Sequence, residues 1–291
     1  MENTVPLVDA HCHIDNTATI PNSDIVKCIM ATNLDDFNTV SNQNNKLNGF
    51  GIHPWYSHLF SLNADCNDKV SHYKSVLHFS PNLPDSKIDQ IIENSLPQPT
   101  NLNVVIQDNL DCFATLKFIG EIGLDKSFSL KLDDSIECQI KLDHQFKIFE
   151  RLCQLANQFN LNVSIHDVKC TMYCFTTCEK LLFPNPNVKI ILHSYNSSMD
   201  FLQNFWLKNL YDDKRIYLSI SKKINFNKSN KLNIKLIPKD TILPETDLNV
   251  HDPNYCESLI YVYEHLMSIY NLSDLDACKR LLYANFSQML E

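Results

Sequence analysis

The stretch Leu7-Val8-Asp9-Ala10-His11-Cys12-His13-Ile14 decides how the rest of the chain is read. It has the pattern of a short buried strand. Successive strand side chains point to opposite faces, so His11 and His13 are expected on one face, close enough to grip one ion, with Asp9 sharing that face. Imidazole suits zinc and its first-row neighbours, and a catalytic metal takes protein ligands plus one open position for water. Cys12, on the other face, reads as packing. Two core histidines would give the same pattern, so the weight of this strand rests on finding further ligands at the ends of later ones.

Working outward, seven more runs read as strands: Asp24 to Thr32, Leu47 to Pro54, Lys117 to Leu124, Leu161 to Val168, Asn187 to Tyr195, Arg215 to Ser221 and Thr241 to Asp247. Helical patterns lie between them. The clearest is Glu137 to Asn160, where Ile140, Phe146, Phe149, Leu152, Cys153 and Ala156 recur at helical spacing. Eight strands alternating with helices predict an α/β fold, a closed parallel (β/α)8 TIM barrel. Five of those strands carry a metal-binding group at or near the carboxyl end: His11 and His13, Glu121, His166, His193 and Asp247. In a parallel barrel these ends converge on one mouth. Burying four imidazoles and two carboxylates around one axis without a cation is costly. The inventory exceeds what one catalytic zinc takes, so it suits two divalent ions with room for one carboxylate to bridge them.

A chain of 291 residues with 44% hydrophobic content is long enough for one large core, and a single domain over 1–291 is expected. Leu62 to Asp111 is too long for one barrel helix and carries several prolines, so it reads as an insertion between strands three and four and as a possible contact for a protein partner. Within it, helices are expected near Val70 to Phe79 and Ile88 to Asn94, then an irregular or extended piece from Pro97 to Gln107. Tyr255 to Tyr270 and Ser273 to Leu282 read as two closing helices, the second opened by a capping sequence at Ser273-Asp274-Leu275-Asp276. No basic leader and no apolar run of membrane length is seen, so a soluble intracellular protein is expected, cytoplasmic or nuclear. The 11 cysteines are scattered and expected to be reduced thiols. Cys170, Cys174 and Cys178 share one helix face but lack the Cys-x-x-Cys knuckle, which makes them core residues before ligands. Of only four glycines, Gly49 and Gly51 precede His53, and Gly120 and Gly123 flank Glu121. A net charge of −9 argues against a generally basic nucleic-acid surface, while bound cations or a local patch would still draw in phosphate.

The segments Asp9-Ala10-His11-Cys12-His13, Gly51-Ile52-His53-Pro54, Gly120-Glu121-Ile122-Gly123-Leu124-Asp125, Ser164-Ile165-His166, Leu192-His193-Ser194-Tyr195 and Pro244-Glu245-Thr246-Asp247 resemble, in order, the signatures of TatD-type metal-dependent hydrolases, a family known as deoxyribonucleases. Ala284-Asn285-Phe286 resembles the family's C-terminal end. The run His53-Pro54-Trp55-Tyr56-Ser57-His58 looks more like the fungal branch than the bacterial enzymes. The resemblance implies that His11 and His13 hold one metal, that Asp247, His166 and His193 hold the other, and that Glu121 bridges them. The ions would be Zn, Mg or Mn. Paired cations acidify a shared water and stabilise both oxygens of an in-line phosphoryl displacement, with Asp247 placed to orient that water and accept its proton.

His53 is expected to be a substrate contact or proton donor, and Asp125 a partner of an active-site histidine. Bacterial members carry an arginine two positions after the fifth-strand histidine, where this chain has Val168, and a glycine where it has Ser197. Lys169 lacks the planar fork that grips phosphate in two places. The run Lys214, Arg215, Lys222, Lys223, Lys228, Lys231, Lys235 and Lys239 contains no intervening acid, and Lys222 and Lys223, leaving strand seven, are expected at the mouth as substrate contacts. The expected activity is two-metal hydrolysis of phosphodiesters, DNA foremost. Ester or amide hydrolysis, on an aminoacyl-tRNA or a small metabolite, and a barrel acting as an interaction module are the alternatives.

Overall fold

Strands β1 (Leu7–Cys12), β2 (Ile25–Met30), β3 (Asn48–Phe50), β4 (Phe118–Asp125), β5 (Asn162–Val168), β6 (Ile190–Leu192), β7 (Ile216–Ile220) and β8 (Ile242–Pro244) pair in chain order, every ladder parallel. The computed structural model that shows them describes residues 5–15, 20, 23–41, 47–63, 68–132, 136–227, 230 and 232–291. Helices alternate with the strands, giving the (β/α)8 barrel. The ends of the sheet meet through main-chain bonds beyond the ladders: Asp247 N donates to His11 O (3.1 Å), His13 N to Leu248 O (2.9 Å) and Val250 N to His13 O (2.8 Å). Closure is therefore made by the same short segments that carry His11, His13 and Asp247.

Val8, Cys28, Phe118, Ile191, Tyr217 and Leu243 come from six different strands yet form one buried cluster, which is possible only on the barrel axis. Phe286 and Met289 of the C-terminal helix Leu275–Leu290 close that cluster from the amino-terminal end of the strands. The outer faces of the strands, with Ile119, Ile165 and Leu218, pack against helix residues such as Leu152, Trp206 and Leu259 in the main core. An apolar plug thus fills one end of the barrel and leaves polar chemistry to the other.

Two bulges set which side chains reach that polar end. Asp9 pairs with Lys27 but Cys12 with Ile29, so β1 carries one extra residue between them. Val8 and Ala10 face the axis below the extra residue, and His11 and His13 face it above. Asp9 therefore does not share the histidines' face as simple alternation predicts; its buried carboxylate accepts from Thr246 N (3.0 Å) and Thr246 Oγ1 (2.6 Å) across the β1–β8 closure. In β4, Ile119 pairs with Val163 but Ile122 with Ile165, an extra residue at Gly120–Glu121. A Cβ on Gly120 would meet that of Ser164 at 2.8 Å, so Gly120 lines the axis and Glu121, directly after it, also turns inward.

Other elements differ in detail from their sequence patterns. Glu137–Ile140 is the central strand of a small three-stranded sheet, its Cys138 and Ile140 alternating with exposed neighbours, and the helix begins only at Leu142 and runs to Phe159. In the insertion, helices Lys69–Val76 and Asp85–Ser95 form, and the piece expected to be irregular contains a third, Leu102–Asp108, capped by Asn101 Oδ1 on Asn103 N and Val104 N. Leu77–His78 pairs antiparallel with Glu137–Ile140, which pairs with Leu130–Lys131. A satellite core of Tyr73, Ile88, Ile92, Leu96 and Ile140 joins the insertion to the segment after β4 and packs against Phe128. No helix among the described residues is long and apolar enough to cross a membrane.

Candidate active site

Glu121 stands at the centre of the mouth, 3% exposed, with imidazoles on both sides of its carboxylate. Its Oε2 faces His11 Nε2 at 3.4 Å and His13 Nε2 at 3.6 Å. Its Oε1 faces His166 Nδ1 at 2.8 Å, and His193 Nε2 and His53 Nε2 each at 3.5 Å. Asp247 Oδ1 lies 3.4 Å from His13 Nε2 and 3.5 Å from His193 Nε2, spanning the two groups. The six residues read from the sequence as a ligand set, His11, His13, Glu121, His166, His193 and Asp247, are thus brought together by four strands, β1, β4, β5 and β6, and the β8 loop.

Three of the four imidazoles are held by a hydrogen bond at the second nitrogen, and that of His166 lies near a carboxylate without one. His11 Nδ1 bonds Ser164 Oγ (2.9 Å), His13 Nδ1 donates to Met30 O (3.0 Å), His193 Nδ1 lies 3.0 Å from Glu245 Oε2, and His166 Nε2 is 3.7 Å from Asp125 Oδ2. Such outer partners fix the ring and raise its basicity. Burial and the neighbouring His193 hold His11 down, but at the other three, carboxylates outweigh burial: Asp247 and Glu121 hold His13 up at about 9, Asp125 and Glu121 hold His166 at about 9, and Glu245 and Asp247 hold His193 at about 10. Burial would raise Glu121 and Asp247, and the imidazoles around them win, keeping both carboxyls below their ordinary range. The site is built for positive charge.

A metal fits what is there. His11 Nε2 is buried with no hydrogen-bond partner and points at Glu121 Oε2. Two donors each roughly 2.1 Å from one tetrahedral ion stand roughly 3.4 Å apart, which is the spacing seen between the nitrogens and carboxylate oxygens here. Three nitrogen-and-carboxylate groupings meet within reach of a shared ion: His11, His13 and Glu121; His53, Glu121 and His166; and His11, His193 and Glu245. The cysteines of the helix Thr171–Leu181 contribute to no such grouping among the described residues, and Cys170, Cys174 and Cys178 are buried in the main core.

The cavity has a volume of about 280 Å³ and is lined by His13, Thr32, His53, Trp55, Tyr56, Glu121, His166, His193, Lys223 and Asp247. His53 caps the short 3-10 helix Pro54–Leu59 by accepting from Trp55 N at Nδ1 (3.2 Å). Burial holds it neutral, down at about 4, so its proton sits on Nε2 and points into the site. That Nε2–H stands 3.5 Å from Glu121 Oε1. Asp125 does two jobs: Oδ1 accepts from Ser127 N (2.7 Å) and Phe128 N (3.2 Å), while Oδ2 accepts from Trp55 Nε1 (2.7 Å) beside His166.

The basic run divides. Lys223 lines the cavity, whereas Lys222 turns away to pair with Glu257 (2.9 Å) and to lie over the Tyr261 ring, so the expectation that both lysines stand at the mouth is corrected to Lys223 alone. The reason is the single turn Lys222–Asn225, which aims consecutive side chains in different directions. Lys214 pairs with Asp240, and Arg215 donates to four main-chain carbonyls at the start of β7, the far end from the site. Lys228 and Lys231 lie outside the described residues. Sequence reading also passed over Glu245 and Ser164. Both sat inside quoted motifs, two residues from a proposed ligand on the same strand face, which is the signal that would have found them.

A family model for TatD-related DNases matches residues 8–291. An uncharacterized deoxyribonuclease of Saccharomyces cerevisiae is 34% identical, the match covering 98% of this chain and 99% of that protein. The Cut9-interacting protein scn1 of Schizosaccharomyces pombe is 26% identical over 90% of this chain and 92% of its own length. Among solved structures, the TatD homologue YjjV of Escherichia coli superposes with a TM-score of 0.62 at 17% identity over 98% of each chain, and a TatD-family hydrolase of Entamoeba histolytica with 0.60 at 15% over 98% of this chain and 97% of that one. A family match running from Val8 to Glu291, with a relative alike along the whole length, makes this chain a member of the TatD-related DNases, a family of metal-dependent hydrolases.

Proposed function

We propose that the protein hydrolyses phosphodiester bonds of DNA with two divalent ions. The observation that carries this is the division of donors across Glu121, one carboxylate oxygen toward His11 and His13 and the other toward His166 and His193. A bridging ligand needs that arrangement. His11 and His13 would hold one ion, His166, His193 and Asp247 the other, and a donor set this rich in imidazole suits zinc before magnesium. Bound there, the ions supply Lewis acidity, an acidified water and charge neutralisation at both oxygens of an in-line displacement.

The chain's own groups do the rest. Asp247 is the more exposed of the two carboxylates, and its place between His13 and His193 makes it the acceptor for the proton of the attacking water. Neutral His53 presents Nε2–H to a phosphoryl oxygen or the leaving group. Lys223 meets phosphate charge at the rim. A cavity of about 280 Å³ lies at the lower end of ligand pockets, a size for a phosphodiester link rather than a large metabolite.

The test is cleavage of single- and double-stranded DNA by protein loaded with Zn, Mn or Mg, beside a model carboxylic ester. Metal-dependent DNA cleavage that falls by about 10²–10⁴ in Asp247→Ala is expected. Ester hydrolysis without DNA cleavage under any of the three ions would overturn the proposal in favour of carbonyl chemistry.

A further inference from the structure

Trp55 is 40% exposed at the cavity rim, yet its ring is held on three sides. Its Nε1–H is donated to Asp125 Oδ2 (2.7 Å), its plane lies over Phe128 at 4.7 Å and 15°, and it meets the His53 ring at 4.8 Å and 80°. An indole fixed this firmly but left open has paid its ordering entropy before anything binds. We infer that Trp55, backed by Phe128, is a stacking platform for a nucleobase of the strand whose phosphate enters the histidine site, an inference that rests on the phosphodiester reading of that site.

Size and composition point the same way. The cavity has room for a phosphodiester link and little more, so the base attached to it must lie on the rim. Trp55 offers the rim a large aromatic surface, and Lys223 offers a cation for the backbone beside it. Aromatic platforms next to positive charge are how proteins hold single strands without reading sequence, because every base has a π-face. The insertion gains a role here. Phe128 packs against the satellite core built from the insertion helices, so those helices brace the platform from behind.

Trp55 and Trp206 are the two tryptophans of the chain, and Trp206 is buried, so a ligand that changes the emission by direct contact reports on Trp55. Zinc-loaded protein would be titrated with thymidine 5′-monophosphate and with 2-deoxyribose 5-phosphate, which has the same sugar and phosphate with a hydroxyl in place of the base. The nucleotide should quench the emission and bind about five- to hundredfold more tightly than the sugar phosphate. By calorimetry, Trp55→Leu should remove that advantage while keeping its zinc by elemental analysis, and Trp55→Phe should retain most of it. Equal affinity of the two ligands, an unchanged advantage in Trp55→Leu, or no binding of either would overturn the platform. Cleavage of oligonucleotides is scored separately. Base-dependent binding without cleavage leaves the platform and removes the nuclease, whereas cleavage without base-dependent binding removes the platform alone.

Discussion

Glu245 holds His193 by its ring nitrogen and takes both Ser194 N (3.0 Å) and Ser194 Oγ (2.5 Å) on its other oxygen, so one buried carboxylate fixes both a proposed ligand and the turn that presents it. Exchanging Glu245 for Gln keeps the shape and removes the charge that holds His193 high. Metal affinity, read by competition with a chelator, should fall about 10- to 100-fold with the fold intact. An unchanged affinity would mean that Glu245 only braces the loop. At this scale the sequence was legible where a residue's position depends on its own strand: His11, His13, Glu121, His166, His193 and Asp247 could all be named as groups that meet at the mouth. It was opaque where the role depends on a neighbour from another strand, as for Ser164 under His11 or Lys222, whose cation finds Glu257 thirty-five residues on.

The elements that matter most are the two bulges, because each turns a reactive side chain toward the axis at the level where the apolar plug ends. Simple alternation predicts strands and faces well enough to give the barrel, but a single inserted residue inverts the faces beyond it, which is why Asp9 was misplaced and His11 and His13 were not. The bulge in β4 is kept in place from the β3 side by Gly51: a Cβ there would stand 2.3 Å from Glu121 N and 2.4 Å from Glu121 O. Gly51→Ala must push the Glu121 backbone aside. The expected cost is about 1–3 kcal/mol of stability by thermal melting, together with loss of bound metal. Asn160→Gly is the control, since Asn160 ends its helix with φ of 53°, a conformation glycine adopts freely, and metal content should not change. Retention of full metal content by Gly51→Ala would show that the bulge can relax without moving the carboxylate.

For the whole molecule, a net charge of −9 opposes the approach of DNA except at the mouth, where Lys223 lines the cavity and the proposed cations would add positive charge. Lys223→Ala should flatten the salt dependence of single-strand binding by about 0.7 in log–log slope, and Lys222→Ala should leave it unchanged. Identical slopes for both variants would leave the rim without a phosphate contact. Metal links the site to global stability in a way that pH can separate. Without metal, His13, His166 and His193 have folded values raised to about 9, 9 and 10 from an ordinary 6.5, so their contribution is fully present below about pH 6.5 and is lost as pH rises through 9 to 10. Bound metal needs the same nitrogens free of protons, so its apparent affinity rises over that range. The melting temperature of chelator-treated protein should therefore fall from pH 6.5 toward 9, while the increment restored by added zinc grows. At zinc concentrations 100 to 1,000 times Kd the increment corresponds to about 3–4 kcal/mol, several degrees for a chain of this size. Calorimetric scans at pH 6.5, 7.5 and 8.5, with and without zinc, measure both trends. A zinc increment that stays constant or shrinks with pH would show that the ion does not compete with protons for these imidazoles, and would place it outside the histidine cluster.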